Sequence, residues 1–172
     1  LYHTPSGQML SVKHGTLFLE AQGGELYALN ATNGVTKWVF STNNASTGPV
    51  IASENADIVN LSGRELVALN PADGSLLWSQ PLDIKWVSMI RIGDSVVGQG
   101  QNRIQARDPK SGEIQWTYVC PTNIATGLVA GGGSTVVFGG ADQQVRALDA
   151  ITGKLKWDCL PSGYGFSYLV AG

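Results

Sequence analysis

ALNATNGVTKW, residues 28–38, decides how this chain is read, because its skeleton returns three more times. ALNPADGSLLW occupies 68–78, ARDPKSGEIQW 106–116 and ALDAITGKLKW 147–157. The first position is always alanine: Ala28, Ala68, Ala106 and Ala147. The third is Asn30, Asn70, Asp108 or Asp149; the seventh is Gly34, Gly74, Gly112 or Gly153. The eleventh is Trp38, Trp78, Trp116 or Trp157, spaced by 40, 38 and 41 residues. Four identities held in register four times define an internal repeat of about 40 residues.

Each phrase predicts a β-hairpin. Residues leading into it alternate, as in Leu26 and Ala28 or Val145 and Ala147, the period of a half-buried strand. The Asn or Asp opens a turn, because its short side chain can accept from backbone N–H groups two residues on. The glycine supplies the positive φ that closes the turn. A second strand then runs to the tryptophan. Two shorter apolar runs precede each hairpin: 8–12 and 16–20, 48–53 and 56–62, 87–92 and 95–100, 126–130 and 135–139. Four short strands per 40-residue unit predict an all-β chain of propeller blades, each a four-stranded antiparallel sheet. Blades are expected at about 1–40, 41–80, 81–119 and 120–160, with 161–172 starting a further one. No segment carries a capped helical period.

Composition narrows the function. Among 172 residues, 11 Lys and Arg face 13 Asp and Glu, and 14% of residues are charged. No basic excess exists to neutralise phosphates, so nucleic-acid binding is not expected. With 43% hydrophobic residues and a net charge of −2, disorder is not expected either. No apolar run is long enough for a transmembrane helix, and no charged-then-apolar leader is read at the start. Most of the 22 glycines fall at turns. The string Gly131-Gly132-Gly133 is one such turn; it lacks the Lys-Ser/Thr of a phosphate loop.

The repeated phrase resembles the tryptophan-docking motif of the quinoprotein, or PQQ-like, β-propellers, and the resemblance covers nearly the whole chain. It implies that each tryptophan packs over the alanine of its own motif and against the glycine turn of the next blade. Trp38 would then lie over Ala28 and meet Gly74. Trp78 would lie over Ala68 and meet Gly112. Trp116 would lie over Ala106 and meet Gly153, and Trp157, over Ala147, would find no docking partner in this chain. Propellers of the family typically close with seven or eight blades. Four blades therefore imply part of a longer protein, a ring completed by two copies or a closed four-bladed form.

The motif specifies the blade, not the chemistry. Relatives include pyrroloquinoline-quinone alcohol dehydrogenases and non-catalytic propellers, among them a bacterial outer-membrane assembly propeller. The leading expectation is a non-catalytic scaffold that binds a protein partner or the remaining blades, with no cofactor. The alternative is part of a quinone-dependent dehydrogenase using pyrroloquinoline quinone with calcium. The family's adjacent Cys-Cys pair is absent, and no catalytic or metal-binding residue is assigned. Asp73, Asp94, Asp108, Asp142 and Asp149 are read as turn formers. The family's habits and the low charge favour an extracytoplasmic home: periplasmic, secreted or luminal.

Residues outside the repeat have their own readings. Trp86 is placed at a blade edge, as a packing residue or as a surface that stacks on a ligand or partner. Trp78→Ala is accordingly expected to destabilise far more than Trp86→Ala. Tyr164, Phe166 and Tyr168 alternate as a strand would. Cys120 and Cys159 follow motif tryptophans in neighbouring blades, whose edges splay apart, so two free thiols are expected. Of three Asn-x-Ser/Thr sequons, only Asn44 is expected to be accessible; Asn30 serves its turn and Asn60 a strand.

Overall fold

The computed structural model describes residues 8–161, apart from 22, 44, 46, 53–56 and 62–63. The sequon asparagine Asn44 and the aromatic run Tyr164, Phe166 and Tyr168 lie outside the described residues. Every regular element among the described residues is a strand, and the strands form four antiparallel sheets of four, each in simple sequential order. The first sheet holds β1 (Gln8–Lys13), β2 (Thr16–Ala21), β3 (Glu25–Asn30) and β4 (Thr36–Ser41). The second holds β5 (Thr47–Ile51), β6 (Asp57–Leu61), β7 (Glu65–Leu69) and β8 (Leu76–Pro81). The third holds β9 (Ser88–Ile92), β10 (Ser95–Gly100), β11 (Arg103–Arg107) and β12 (Ile114–Val119). The fourth holds β13 (Val129–Ala130), β14 (Thr135–Gly139), β15 (Val145–Asp149) and β16 (Leu155–Cys159). This is the all-β architecture of a partial β-propeller.

The chain divides into two compact units, Leu1–Leu82 and Asp83–Gly172, each with two sheets. In the first unit Phe18, Leu26, Ala28, Trp38, Val50, Val67 and Leu69 form a single buried cluster. In the second, Ile104, Ala106, Trp116, Val136, Phe138 and Leu148 lie at the centre of the corresponding cluster. Packing sheet on sheet in this way buries the apolar residues that alternation puts on each strand's inner face.

The four hairpin turns are near copies of one another, and their chemistry is local. The side chain of the opening residue accepts from the backbone two positions on: Thr32 N at 2.8 Å from Asn30, Ala72 N at 3.0 Å from Asn70, Lys110 N at 2.6 Å from Asp108, and Ile151 N at 3.1 Å from Asp149. Its carbonyl also accepts from the glycine N–H, at 2.7–2.8 Å in all four. The glycines have φ of 72°, 73°, 73° and 69°, the left-handed region. The extra residue in the loop appears as a register shift just after each motif alanine, a bulge that returns the second strand to pairing.

A second side chain completes each turn, one that the sequence reading singled out only at Asp73. The residue before the glycine accepts from the N–H after it: Asn33 from Val35, Asp73 from Ser75, Ser111 from Glu113 and Thr152 from Lys154. The column is Asn, Asp, Ser and Thr, and that shared acceptor chemistry was the available signal.

One expected strand is much shorter than its apolar pattern. The run 126–130 forms a ladder only at Val129–Ala130. Thr126 is the reason: its Oγ1 accepts from Gly139 N at 2.9 Å, in place of a backbone carbonyl. Its own carbonyl accepts instead from the buried Gln99 Nε2 at 2.6 Å. Two isolated links, Ile124 to Gly140 and Ala125 N to Gly139 O, hold the segment where the ladder would have begun.

Candidate functional site

The feature that dominates each unit is a tryptophan seated on the next sheet. Ala28, Ala68, Ala106 and Ala147 stand directly opposite Trp38, Trp78, Trp116 and Trp157 across the hairpin, and all four alanines are fully buried. A methyl opposite an indole leaves the ring free to lie flat over the strand. In the first unit Trp38 Nε1 donates to Pro71 O at 3.0 Å. A Cβ on Gly74 would come within 2.7 Å of the Trp38 ring. In the second unit Trp116 Nε1 donates to Ala150 O at 2.9 Å, and a Cβ on Gly153 would meet its ring at the same 2.7 Å. Glycine is therefore required twice over at these turns, for its positive φ and for the bare surface beneath the ring.

Exposure separates the docked rings from the last one. Trp38 is 5% exposed and Trp116 8%, whereas Trp157 is 45% exposed. Trp78 is half-buried, and its expected partner Gly112 is buried in the other unit.

Trp86 is not a surface residue. It is 1% exposed, which removes the reading in which it stacks on a ligand or partner. Its ring lies so close to Gly98 that a Cβ there would overlap it, and the Arg107 guanidinium sits 5.9 Å from the ring centroid. Arg107 is itself buried and donates to Gly112 O at 2.9 Å. Burial pulls its pKa down, against the opposing pull of Asp83. Asp83 joins this cluster through Gln105 Nε2 at 3.0 Å and Arg103 Nη1 at 3.4 Å. Strand β11 thus turns Arg103, Gln105 and Arg107 to one face and Ile104 and Ala106 to the other.

A second ion pair lies within the fourth sheet. Buried Arg146 holds both oxygens of Asp142, at 2.5 and 3.0 Å. That hydrogen bonding holds the Asp142 carboxyl down at about 2. Gly140 packs against the pair, where a Cβ would collide with Asp142 and sit 2.6 Å from Arg146 Nη1. Neither cysteine is bridged: Cys120 is buried and Cys159 exposed. Among the described residues no group of three or more His, Cys, Asp or Glu is placed to hold a metal ion. No helix among them is long and apolar enough to cross a membrane.

The same blade motif, seated the same way in both units, agrees with the result of comparing the whole sequence with known families: residues 3–95 and 91–163 match the PQQ_2 family, described as outer membrane protein assembly factor BamB. The chain belongs to the PQQ_2 family. Among PQQ_2 relatives, outer membrane protein assembly factor BamB of Burkholderia pseudomallei (strain K96243) is 29% identical over 177 residues, covering 90% of this chain and 45% of that protein. The crystal structure of BamB from Moraxella catarrhalis superposes with a TM-score of 0.74 at 21% identity, over 92% of this chain and 49% of that one. The quinohemoprotein alcohol dehydrogenase of Comamonas testosteroni shares the fold at a TM-score of 0.63 and 17% identity, over 86% of this chain and 34% of that one. The chain spans less than half the length of the curated relatives it matches.

Proposed function

We propose that this chain supplies four blades of a non-catalytic propeller scaffold that works through protein–protein contacts in the outer membrane assembly machinery, on the extracytoplasmic side. The observation that carries this reading is the match to the BamB family along residues 3–163. The geometry supports it. Docked tryptophans and side-chain-capped turns hold the sheets rigidly, so the loops between them are presented in fixed positions, as a binding platform needs.

Three of the described carboxylates also favour a scaffold over a quinone-dependent dehydrogenase, whose cofactor would need calcium ligands. Asp142 is held by Arg146, Asp83 by Gln105 and Arg103, and Asp149 by the backbone of its own turn. These acids do not fit a calcium site. No cofactor is proposed.

Cross-linking in cell envelopes, with a tag on the chain, tests this reading. Recovery of envelope assembly proteins is expected. Alcohol-dependent dye reduction after addition of pyrroloquinoline quinone and calcium would overturn it in favour of the dehydrogenase.

A further inference from the structure

The two units fill one repeated position differently. In the fourth sheet Arg146, one residue before the motif alanine, is buried and donates to Asp142 and, at 3.2 Å, to Gln144 Oε1. Tyr118 and Cys120, on and just after the outer strand of the third sheet, are its electrostatic neighbours. Counted from the motif alanine and tryptophan, the first unit has Val67 in place of Arg146, Glu65 of Gln144, Phe40 of Tyr118 and Thr42 of Cys120. The backbone agrees with that alignment. Phe40 stands opposite Leu26 as Tyr118 does opposite Ile104, and Thr42 N donates to Gly24 O as Cys120 N does to Asn102 O. Valine is too short to occupy the place of an arginine. A cavity of about 330 Å³ is left, lined by Phe40, Thr42, Glu65, Val67, Leu76 and Ser79 among others.

Charge makes this cavity selective. Beside Arg146 the carboxylate belongs to Asp142, and Gln144 is neutral. In the first unit the counterpart of Asp142 is Gly63, which lies outside the described residues and brings no charge; the carboxylate stands at Glu65 instead. Glu65 is the one charged residue lining the cavity. Its Oε1 accepts from Ser79 Oγ, a neutral donor, and no cation among the described residues pairs with it. The mouth faces solvent: Glu65 and Ser79 are exposed and Leu76 is 53% exposed. The same pocket thus carries a balanced ion pair in one unit and an open carboxylate in the other.

We propose that the cavity between the first and second sheets is a socket for an arginine side chain of a protein partner. Its guanidinium donates to Glu65 and lies against Phe40, as the chain's own Arg146 donates to Gln144 with Tyr118 beside it. Arginine suits the site better than lysine, because a planar fork can meet a carboxylate with two hydrogen bonds and stack on an aromatic ring. Val67, Leu76 and the Phe40 ring give the arginine's methylene stem an apolar wall. The chemistry of the socket follows from the comparison of two blades; that the arginine belongs to a protein rests on the scaffold reading.

The experiment is a titration of the isotope-labelled chain with N-acetyl-arginine amide, followed by two-dimensional NMR. Saturable shifts are expected at Thr42 and Val67, with a dissociation constant on the order of millimolar, as befits one side chain. N-acetyl-citrulline amide has nearly the same shape without the charge and should bind about tenfold more weakly. Glu65→Gln should weaken the arginine probe by about the same factor and leave the citrulline probe unchanged. Val67→Arg supplies the guanidinium from within, as the fourth sheet does, and should abolish binding of the arginine probe. Absence of saturable shifts at Thr42 and Val67, equal binding of the two probes, or indifference to Glu65→Gln overturns the proposal, whether or not Val67→Arg folds. In the cell-envelope cross-linking, Glu65→Gln should lower recovery of the partner bound here, and unchanged recovery would overturn a protein as the source of the arginine. The scaffold reading fails only if the unaltered chain recovers no envelope assembly protein, so the two failures are told apart.

Discussion

The indole N–H of Trp116 donates to the carbonyl oxygen of Ala150, 34 residues further along the chain, at 2.9 Å. That bond lies at the centre of the second unit's core, where the ring also covers Gly153 and contributes to the buried cluster with Val136 and Leu148. Trp116→Ala should lower the unfolding free energy by about 3–5 kcal/mol, as large-to-small aromatic changes in cores do. Trp157→Ala, at an exposed ring, should cost clearly less. Urea titration measures both, and equal losses would contradict the docking hierarchy.

Trp86 reverses the ranking expected from sequence. With Trp86 at 1% exposure and Trp78 only half-buried, Trp86→Ala should destabilise at least as much as Trp78→Ala, by about 3–5 kcal/mol. Gly98→Ala should also destabilise, by about 1–3 kcal/mol, because its methyl would overlap the Trp86 ring. In a Trp86→Ala background that methyl has room, so a double-mutant cycle should show strong coupling between the two positions. Additive losses would mean that Gly98 matters for another reason.

Asp142 should make stability depend on pH at the acid end. Its folded pKa is depressed from the ordinary 3.8 to about 2 by the hydrogen bond from Arg146. The unfolded state therefore binds the proton first as pH falls, and the stabilisation present above pH 4 is lost between about 4 and 2. Asp142→Asn should be less stable at pH 7 and show a flatter profile through that window. Denaturant midpoints measured from pH 7 to pH 2 give the comparison, and parallel profiles for the two proteins would count against this assignment.

Asp149 accepts from Ile151 N, Thr152 N and Thr152 Oγ1 at 3.1, 2.9 and 3.0 Å. Asp149→Ala should lower the melting temperature, because three hydrogen-bond donors of the turn lose their acceptor. Asp149→Asn should recover most of it, since Asn30 and Asn70 do the same work in the first two turns. Thermal melts of the three proteins test this, and an Asn variant as damaged as the Ala variant would argue that charge, and not acceptance, matters.

The blades were legible in sequence because their determinants are short-range. A side chain that caps the backbone two residues on, a glycine with positive φ and an alanine opposite a tryptophan all lie within eleven residues, so a repeated phrase carries the whole hairpin. The seating of Trp38 on Gly74 and of Trp116 on Gly153 was legible for a related reason: the array repeats, so each turn's partner is the preceding phrase.

Other features depended on contacts that no repeat encodes. Trp86 lies outside the phrase, and only the approach of β10, with glycine at 98, reveals that its ring is enclosed. The short β13 follows from one hydroxyl, Thr126, taking a carbonyl's place, and the Asp142–Arg146 pair from a buried guanidinium for which the pattern offered no reason. By itself the sequence determined the all-β class, the four sheets and their turns, since local hydrogen bonding and side-chain alternation act along a single stretch of chain. Tertiary structure alone decided that Trp86 is covered, which strand is cut short and which charges are buried, because burial is set by the surface of a neighbouring sheet.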